Sequence, residues 1–316
     1  MSKKKSFKHG WGQAVLALLS AAAMAGCGGG SSQIEPFHPT RIMAMGDEAS
    51  YLSPEGKKYA VNAVDDTTLA IKCQNNPIWV QALATQFGLL FPQCNPDKVA
   101  APAGLMYARP GAKVDGVKAQ IDQQFSAGGF TSKDLVAMLV GSNDLLDLYR
   151  QFPAQNRDTL LASAGERGRA LAEQVNRVAN AGGRVLVVTL PDLGLTPYAA
   201  KEKATKTDTD RAALLSELTQ AFNSQMRLNI INDGRMIGLV LGDEMSQAIA
   251  KFPEGFGYAN ITVGACKVAL PDCTTKTLLD TASADTWLWA DDYWMANGGQ
   301  NRLGLLAQTR ARNNPF

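Results

Sequence analysis

Met43-Ala44-Met45-Gly46-Asp47-Glu48-Ala49-Ser50 ends an apolar run, Ile42 to Met45, that stops abruptly at Gly-Asp. In a parallel α/β sheet such a junction is the carboxyl end of a strand, where ligands and catalytic groups collect. Glycine permits a tight turn there, and the residues after it project over the end of the sheet. The residue at the tip is Glu48, an acid and not a nucleophilic serine.

Outward from this stretch the same strand pattern recurs. Arg41 to Met45 is the first strand, and Leu105 to Ala108 is a short apolar run ending at the turn Arg109-Pro110-Gly111-Ala112. Asp134 to Val140 is a continuous buried strand stopped by Gly141-Ser142-Asn143-Asp144, Arg184 to Leu190 ends at Pro191, and Ile237 to Leu241 is a further strand. Helical periodicity falls between them, over Ile78 to Leu90, Val114 to Phe125, Arg157 to Ala181, Thr207 to Ile231 and Glu244 to Lys251. In the longest of these, Leu160, Ala164, Leu171, Val175 and Val178 make one stripe, closed by Gly182-Gly183. Residues 50 to 75 read as loop, and the tail carries Trp287 to Trp289, a loop at Asp291 to Trp294 and a last helix from Gly299 to Arg310. Apolar strands alternating with helices predict an α/β domain, a parallel sheet covered on both faces, over residues 40–316.

The chain has 316 residues, 46% hydrophobic and 19% charged, ample for one large globular domain. Its formal charge is +2, and −2 once Lys3, Lys4, Lys5 and Lys8 are set aside with the leader. No basic stripe is present to neutralise phosphates, which argues against nucleic acid binding. The basic start is followed by an apolar core, Ala14 to Ala25, too short to span a bilayer as a helix. Met24-Ala25-Gly26-Cys27 resembles the bacterial lipobox, in which cleavage precedes the cysteine and lipid is attached to it. The expectation is a signal peptide over residues 1–26, then lipidated Cys27 and a Gly-Ser tether through residue 39. Acyl chains would hold the domain on a membrane, about 0.8 kcal/mol per buried methylene. The expected place is the cell envelope, at the periplasmic face of the outer membrane. Four cysteines remain, an even number that suggests two disulfides in an exported chain, with three connectivities open. Cys73–Cys94 with Cys266–Cys273 is preferred, since each closes a local loop.

Three strand ends now stand together: Gly46-Asp47-Glu48, Gly111, and Gly141-Ser142-Asn143-Asp144. With Asp291-Asp292-Tyr293-Trp294 before the final helix, they resemble the SGNH/GDSL hydrolase family of esterases and lipases, in its chain order. Leu190-Pro-Asp-Leu-Gly-Leu-Thr-Pro197 and Ala221-Phe-Asn223 resemble further segments of that family. The resemblance implies a three-layer α/β/α sandwich on a mainly parallel, flavodoxin-like five-stranded sheet. It also implies a serine nucleophile, a histidine base, an aspartate orienting the histidine, and N–H donors holding the oxyanion. Carried over by position, the oxyanion donors are Gly111 and Asn143 and the aspartate is Asp291. The nucleophile position is Glu48 and the base position is Trp294, so two of three catalytic side chains are replaced.

The chain has only two histidines, His9 in the leader and His38 before the first strand. His38 lies at the strand's amino end, roughly 17–20 Å from the carboxyl end at ~3.3 Å per residue. It reads as a linker or surface residue. Ser50 is the candidate substitute nucleophile, without a base to activate it, and reads equally as a loop-capping serine. A carboxylate at position 48 can reach the donors that would hold an oxyanion, and Trp294 would fill the other wall. A sharper alternative joins Glu48 with Asp291 or Asp292 to share a proton or bind a hard cation. No metal-site or cofactor motif accompanies it, so no metal and no cofactor are expected.

These readings point to an exported lipoprotein of this fold that acts as a binding or structural module, a degenerate pseudo-esterase. Two alternatives stand beside it. One is an active carboxylic-ester hydrolase using Ser50. The other is an acyl- or glycan-binding protein without turnover, with Trp287, Trp289 and Trp294 offering apolar or sugar-binding faces. The sequence names no protein partner.

Overall fold

In the computed structural model the described residues are 36–313; Cys27 and the leader lie outside them. In chain order the elements are β1 (Arg41–Gly46), α1 (Trp79–Gln86), β2 (Gly104–Met106), α2 (Val114–Ser126), β3 (Asp134–Leu139), α3 (Ser142–Tyr149), α4 (Arg157–Asn180) and β4 (Arg184–Val188). They continue with α5 (Pro197–Thr205), α6 (Arg211–Asn229), β5 (Ile237–Val240), α7 (Gly242–Lys251), β6 (Asn260–Gly264), β7 (Trp287–Trp289) and α8 (Asn297–Asn313).

Five strands form one parallel sheet in the order β2-β1-β3-β4-β5. This is the doubly wound order of flavodoxin-like sheets. Right-handed crossovers place α1 and α8 against one another and α2, α4 and α6 in the other layer. β1 and β3 are buried along almost their whole length, which is why they read as unbroken apolar runs and not as alternating ones. Close packing of α4 on α6 depends on Gly168, where a Cβ would lie 2.1 Å from the backbone oxygen of Phe222. The long helix is capped by the Asn156 side chain, which accepts from Thr159 N at 2.9 Å.

Sequence periodicity missed three elements. α3 starts inside the Gly-Ser-Asn-Asp stretch, which stops the preceding strand, and α5 occupies residues between Pro197 and Thr207 that carry no helical stripe. β6 pairs with β7 in a separate two-stranded parallel sheet; it is partly exposed, with little apolar signal. The helix expected from Thr207 starts at Arg211, because Asp210 caps it by accepting from Ala213 N.

Residues 50–75 have no helix beyond the first turn and no strand, as expected, but the loop is not loosely held. Lys58 is fully buried, and its ammonium donates to the carbonyl oxygens of Cys73 (3.0 Å), Asn75 (2.6 Å) and Asn76 (2.6 Å). Asn62, also buried, donates to the carbonyls of Pro271 and Cys273. Both preferred disulfides are present, Cys73–Cys94 and Cys266–Cys273. A short basic side chain inside the core thus ties one disulfide loop down, and a buried amide ties that segment to the other. Removing the ammonium leaves three carbonyls without their donor, and buried polar groups without partners are destabilising. Lys58→Met is therefore expected to lower stability by roughly 2–4 kcal/mol in urea unfolding with the disulfides intact. A change within experimental error would show that water replaces the ammonium.

Candidate functional site

Gly46 ends β1 with φ +129°, and a Cβ there would lie 1.8 Å from the carbonyl oxygen of Leu139 on β3. Only glycine fits that approach. Both backbone groups of Gly46 are taken by the buried Gln120 amide on α2, its N–H donating to Oε1 (2.8 Å) and its carbonyl accepting from Nε2 (2.9 Å). The chain then makes one turn of 3-10 helix over Glu48–Ser50, capped by Asp47, whose Oδ1 accepts from Ala49 N at 3.1 Å.

From this turn the Glu48 side chain reaches the neighbouring strand ends. Its Oε1 accepts from Gly111 N at 2.7 Å, and its Oε2 accepts from Asn143 Nδ2 at 2.9 Å. The same Asn143 amide donates to the Ala112 carbonyl at 3.1 Å. One carboxylate thus joins the segments that follow β1, β2 and β3. Charge-assisted bonds of this length are the stronger kind.

Two further carboxylates lie beneath it. Asp47 is fully buried, and its Oδ2 has no hydrogen-bond partner among the described residues. Burial, and then the charge of Glu48, push its pKa well above the carboxylate range. Asp144 accepts from Val114 N at 3.0 Å, taking one of the open N–H groups at the start of α2. Its other oxygen is 3.8 Å from Arg167 Nε, and burial raises its pKa to about 6.

The tail completes the site differently from a catalytic dyad. Asp291 turns back on its own loop, where Oδ1 accepts from Tyr293 N (2.8 Å) and Trp294 N (2.7 Å). Burial raises its pKa too. Asp292 pairs with Lys201 at 2.6 Å. The acidic cluster considered from sequence therefore does not assemble: Glu48, Asp291 and Asp292 each have separate partners. Among the described residues, no group of three or more His, Cys, Asp or Glu is placed to hold a metal. Trp294 is half-buried and, with Ala49, Ser142, Leu190, Trp289 and Tyr293, encloses a cavity of about 30 Å³.

Ser50 is fully buried, and its hydroxyl accepts from the Trp79 indole N–H at 3.2 Å. The serine weighed as a substitute nucleophile thus lies in the core with its hydroxyl engaged by an indole. His38 is exposed before β1, away from Glu48. Trp287 and Trp289 are core residues, 8% and 2% exposed, and offer no sugar-binding face. Sequence reasoning missed Gln120 and the aromatic ladder Tyr149–Tyr198–Tyr293, with ring centroids 5.9 and 4.9 Å apart. Gln120 had a signal, a polar residue on the apolar stripe of a helix; the ladder joins three separate segments and had none.

The family profile described as GDSL-like Lipase/Acylhydrolase matches residues 42–268, so Asp291 to Trp294 lie beyond the matched region. The chain is also similar to the phosphatidylcholine-sterol acyltransferase of Aeromonas hydrophila, 26% identical over 241 residues, covering 72% of this chain and 65% of that protein. It thus spans slightly under two thirds of that relative's length. Among solved structures it is similar to the lipase Lip_vut3 from a goat rumen metagenome, at 12% identity and a TM-score of 0.49, covering 87% of this chain and 99% of that one. A putative GDSL-like lipase from Parabacteroides merdae matches at 13% identity and a TM-score of 0.47, covering 88% and 98%.

Protonation of the site carries a stability signature. A carboxyl whose folded pKa is raised contributes stability that is present below its unfolded pKa and lost as pH rises through the folded value. For Asp144 that window runs from 3.8 to about 6, and Asp47 and Asp291 act in the same direction. Asp144→Asn is expected to be more stable than wild type by about 1–3 kcal/mol near neutral pH, the difference closing as pH falls through that window. Thermal unfolding of both proteins across the range measures it. A difference independent of pH would sink this account.

Proposed function

We propose that this chain, which belongs to the GDSL-like lipase/acylhydrolase family, is a catalytically silent member that acts as a binding or structural module. One observation carries the reading: the Glu48 carboxylate accepts from both Gly111 N and Asn143 Nδ2. By position these are the donors that would stabilise an ester-derived oxyanion. A negative charge already held there repels a second one and leaves it no donors. Turnover also needs a base to take a nucleophile's proton. The base position carries Trp294, and the only histidine in residues 36–313 is His38, on the far side of β1. Esterase or lipase activity, the alternative that family membership favours, has no serine at the nucleophile position, and its candidate substitute Ser50 is in the core.

Purified protein is expected to hydrolyse no short- or medium-chain chromogenic ester above buffer, and to take no label from a fluorophosphonate serine probe. Glu48→Ser combined with Trp294→His is expected to gain both, because the two donors, Gly111 N and Asn143 Nδ2, stay in place and lose the Glu48 carboxylate that occupies them. Wild-type turnover with a labelled serine would overturn the reading.

The module is further proposed to be exported and held on a membrane through lipid on Cys27. Two disulfides support an oxidising compartment. Among the described residues no helix is long and apolar enough to cross a membrane. Cys27→Ser is expected to move the protein from the membrane to the soluble fraction; unchanged fractionation would exclude the anchor.

A further inference from the structure

A second cavity, of about 340 Å³, opens at the carboxyl ends of β4 and β5, and the reading above makes no use of it. In open α/β sheets this end of the strands is the one that meets ligands. The cavity lies between α6, α7 and the turn after β4, and every residue lining it is polar.

Its origin is legible in the helix that forms one wall. α6 turns Leu214, Leu218, Phe222 and Met226 to the core. Beside that stripe, three or four residues apart, run Ser216, Gln220, Ser224 and Arg227, which line the cavity with Asp243 and Gln247 of α7. The two polar faces do not close on each other, and the gap between them is the cavity. Its floor is buried and already organised. Asp192 is 6% exposed, and its Oδ1 accepts from Ser216 Oγ (2.7 Å) and Gly194 N (2.9 Å). Asp243 is 8% exposed and accepts from Thr189 Oγ1 (2.6 Å) and Arg227 Nη2 (2.8 Å).

The rim is open to solvent by contrast, with Gln220 exposed and Ser224 half-buried. The side chains of Gln220 and Ser224 make no hydrogen bond among the described residues. The second oxygen of Asp192 has one partner, Gln247 Nε2, at the long distance of 3.5 Å. A buried carboxylate oxygen with only a long contact is an acceptor available to a guest.

Ligand chemistry follows by matching this lining. Asp192, Asp243 and Glu244 outnumber the single guanidinium of Arg227, so phosphates and carboxylates are repelled. Wholly polar walls give an apolar guest nothing to bury against. Asp243 and one oxygen of Asp192 are engaged by protein donors, and no metal-holding group forms among the described residues. A neutral guest with several hydroxyls fits. Each hydroxyl both donates and accepts. Carboxylate accepts from it, guanidinium donates to it, and the amide of Gln220 does both. We propose that this cavity is a binding site for vicinal hydroxyls of a neutral polyol or sugar, distinct from the Glu48 site and independent of whether that site is silent.

The test uses the intact protein in calorimetric titrations with glucose, sorbitol and soluble xylan, whose arms separate a free small polyol from the end of a glycan. Wild type is expected to bind at least one of them saturably. Gln220→Ala with Ser224→Ala is expected to weaken that binding roughly tenfold or more. Its melting temperature should not move, since neither side chain supports the fold. No saturable binding to any of the three would overturn the proposal. Binding unchanged in the double variant would do so too, as would a response only to calcium or magnesium.

Discussion

The constraint on which the site rests is the contact of Gly46 with the Leu139 carbonyl. β1 lies between β2 and β3, so its end is surrounded, and the chain leaves the sheet only by passing over β3 at a distance no side chain permits. The Gln120 amide then fixes that exit by occupying both backbone groups of the glycine. With the exit fixed, residue 48 stands above the sheet between Gly111 and Asn143 whatever its side chain. The identity of that residue decides the chemistry, while the backbone that presents it is set by residues with no chemical role.

The sheet was legible because its strands are buried on both faces, and double burial writes itself as unbroken apolar runs such as Asp134 to Val140. Helix positions were legible for the same reason on one face. What failed to show was either short or cooperative. α3 begins within a motif that reads as a turn, and β6 is stabilised by pairing with β7 and not by apolar burial. Glu48 between Gly111 and Asn143 followed from motif order alone, since each strand end carried its own signature. Ser50 did not: its distance from Glu48 in sequence says nothing about direction, and within a 3-10 turn two positions on is a different face, here the buried one. Lys58 was illegible because a buried cation needs partners, and its three carbonyls come from a segment more than a dozen residues away.

Burial of carboxylates is the recurrent electrostatic feature. Asp47 and Asp144 lie beneath Glu48 and Asp291 braces the tail loop, and burial pushes each toward its neutral form. Their neighbours are backbone N–H groups, so the three act as caps and turn braces for the segments that carry Glu48, Asn143 and Trp294. Burial favours the neutral form of each, which limits the repulsion between neighbouring Asp47 and Asp144.

The Glu48 carboxylate has a consequence that concerns competition. It is a ligand delivered on a short tether, so its local concentration at the two donors is far above that of any free anion in solution. Acetate, a fatty acid or a reaction product would have to displace a group that returns as fast as a side chain rotates. The cleft at the end of β1 is therefore insulated from the small acids of its surroundings. Whatever binds to this face of the protein must be recognised by something other than the anion-holding donors that define the fold's chemistry elsewhere.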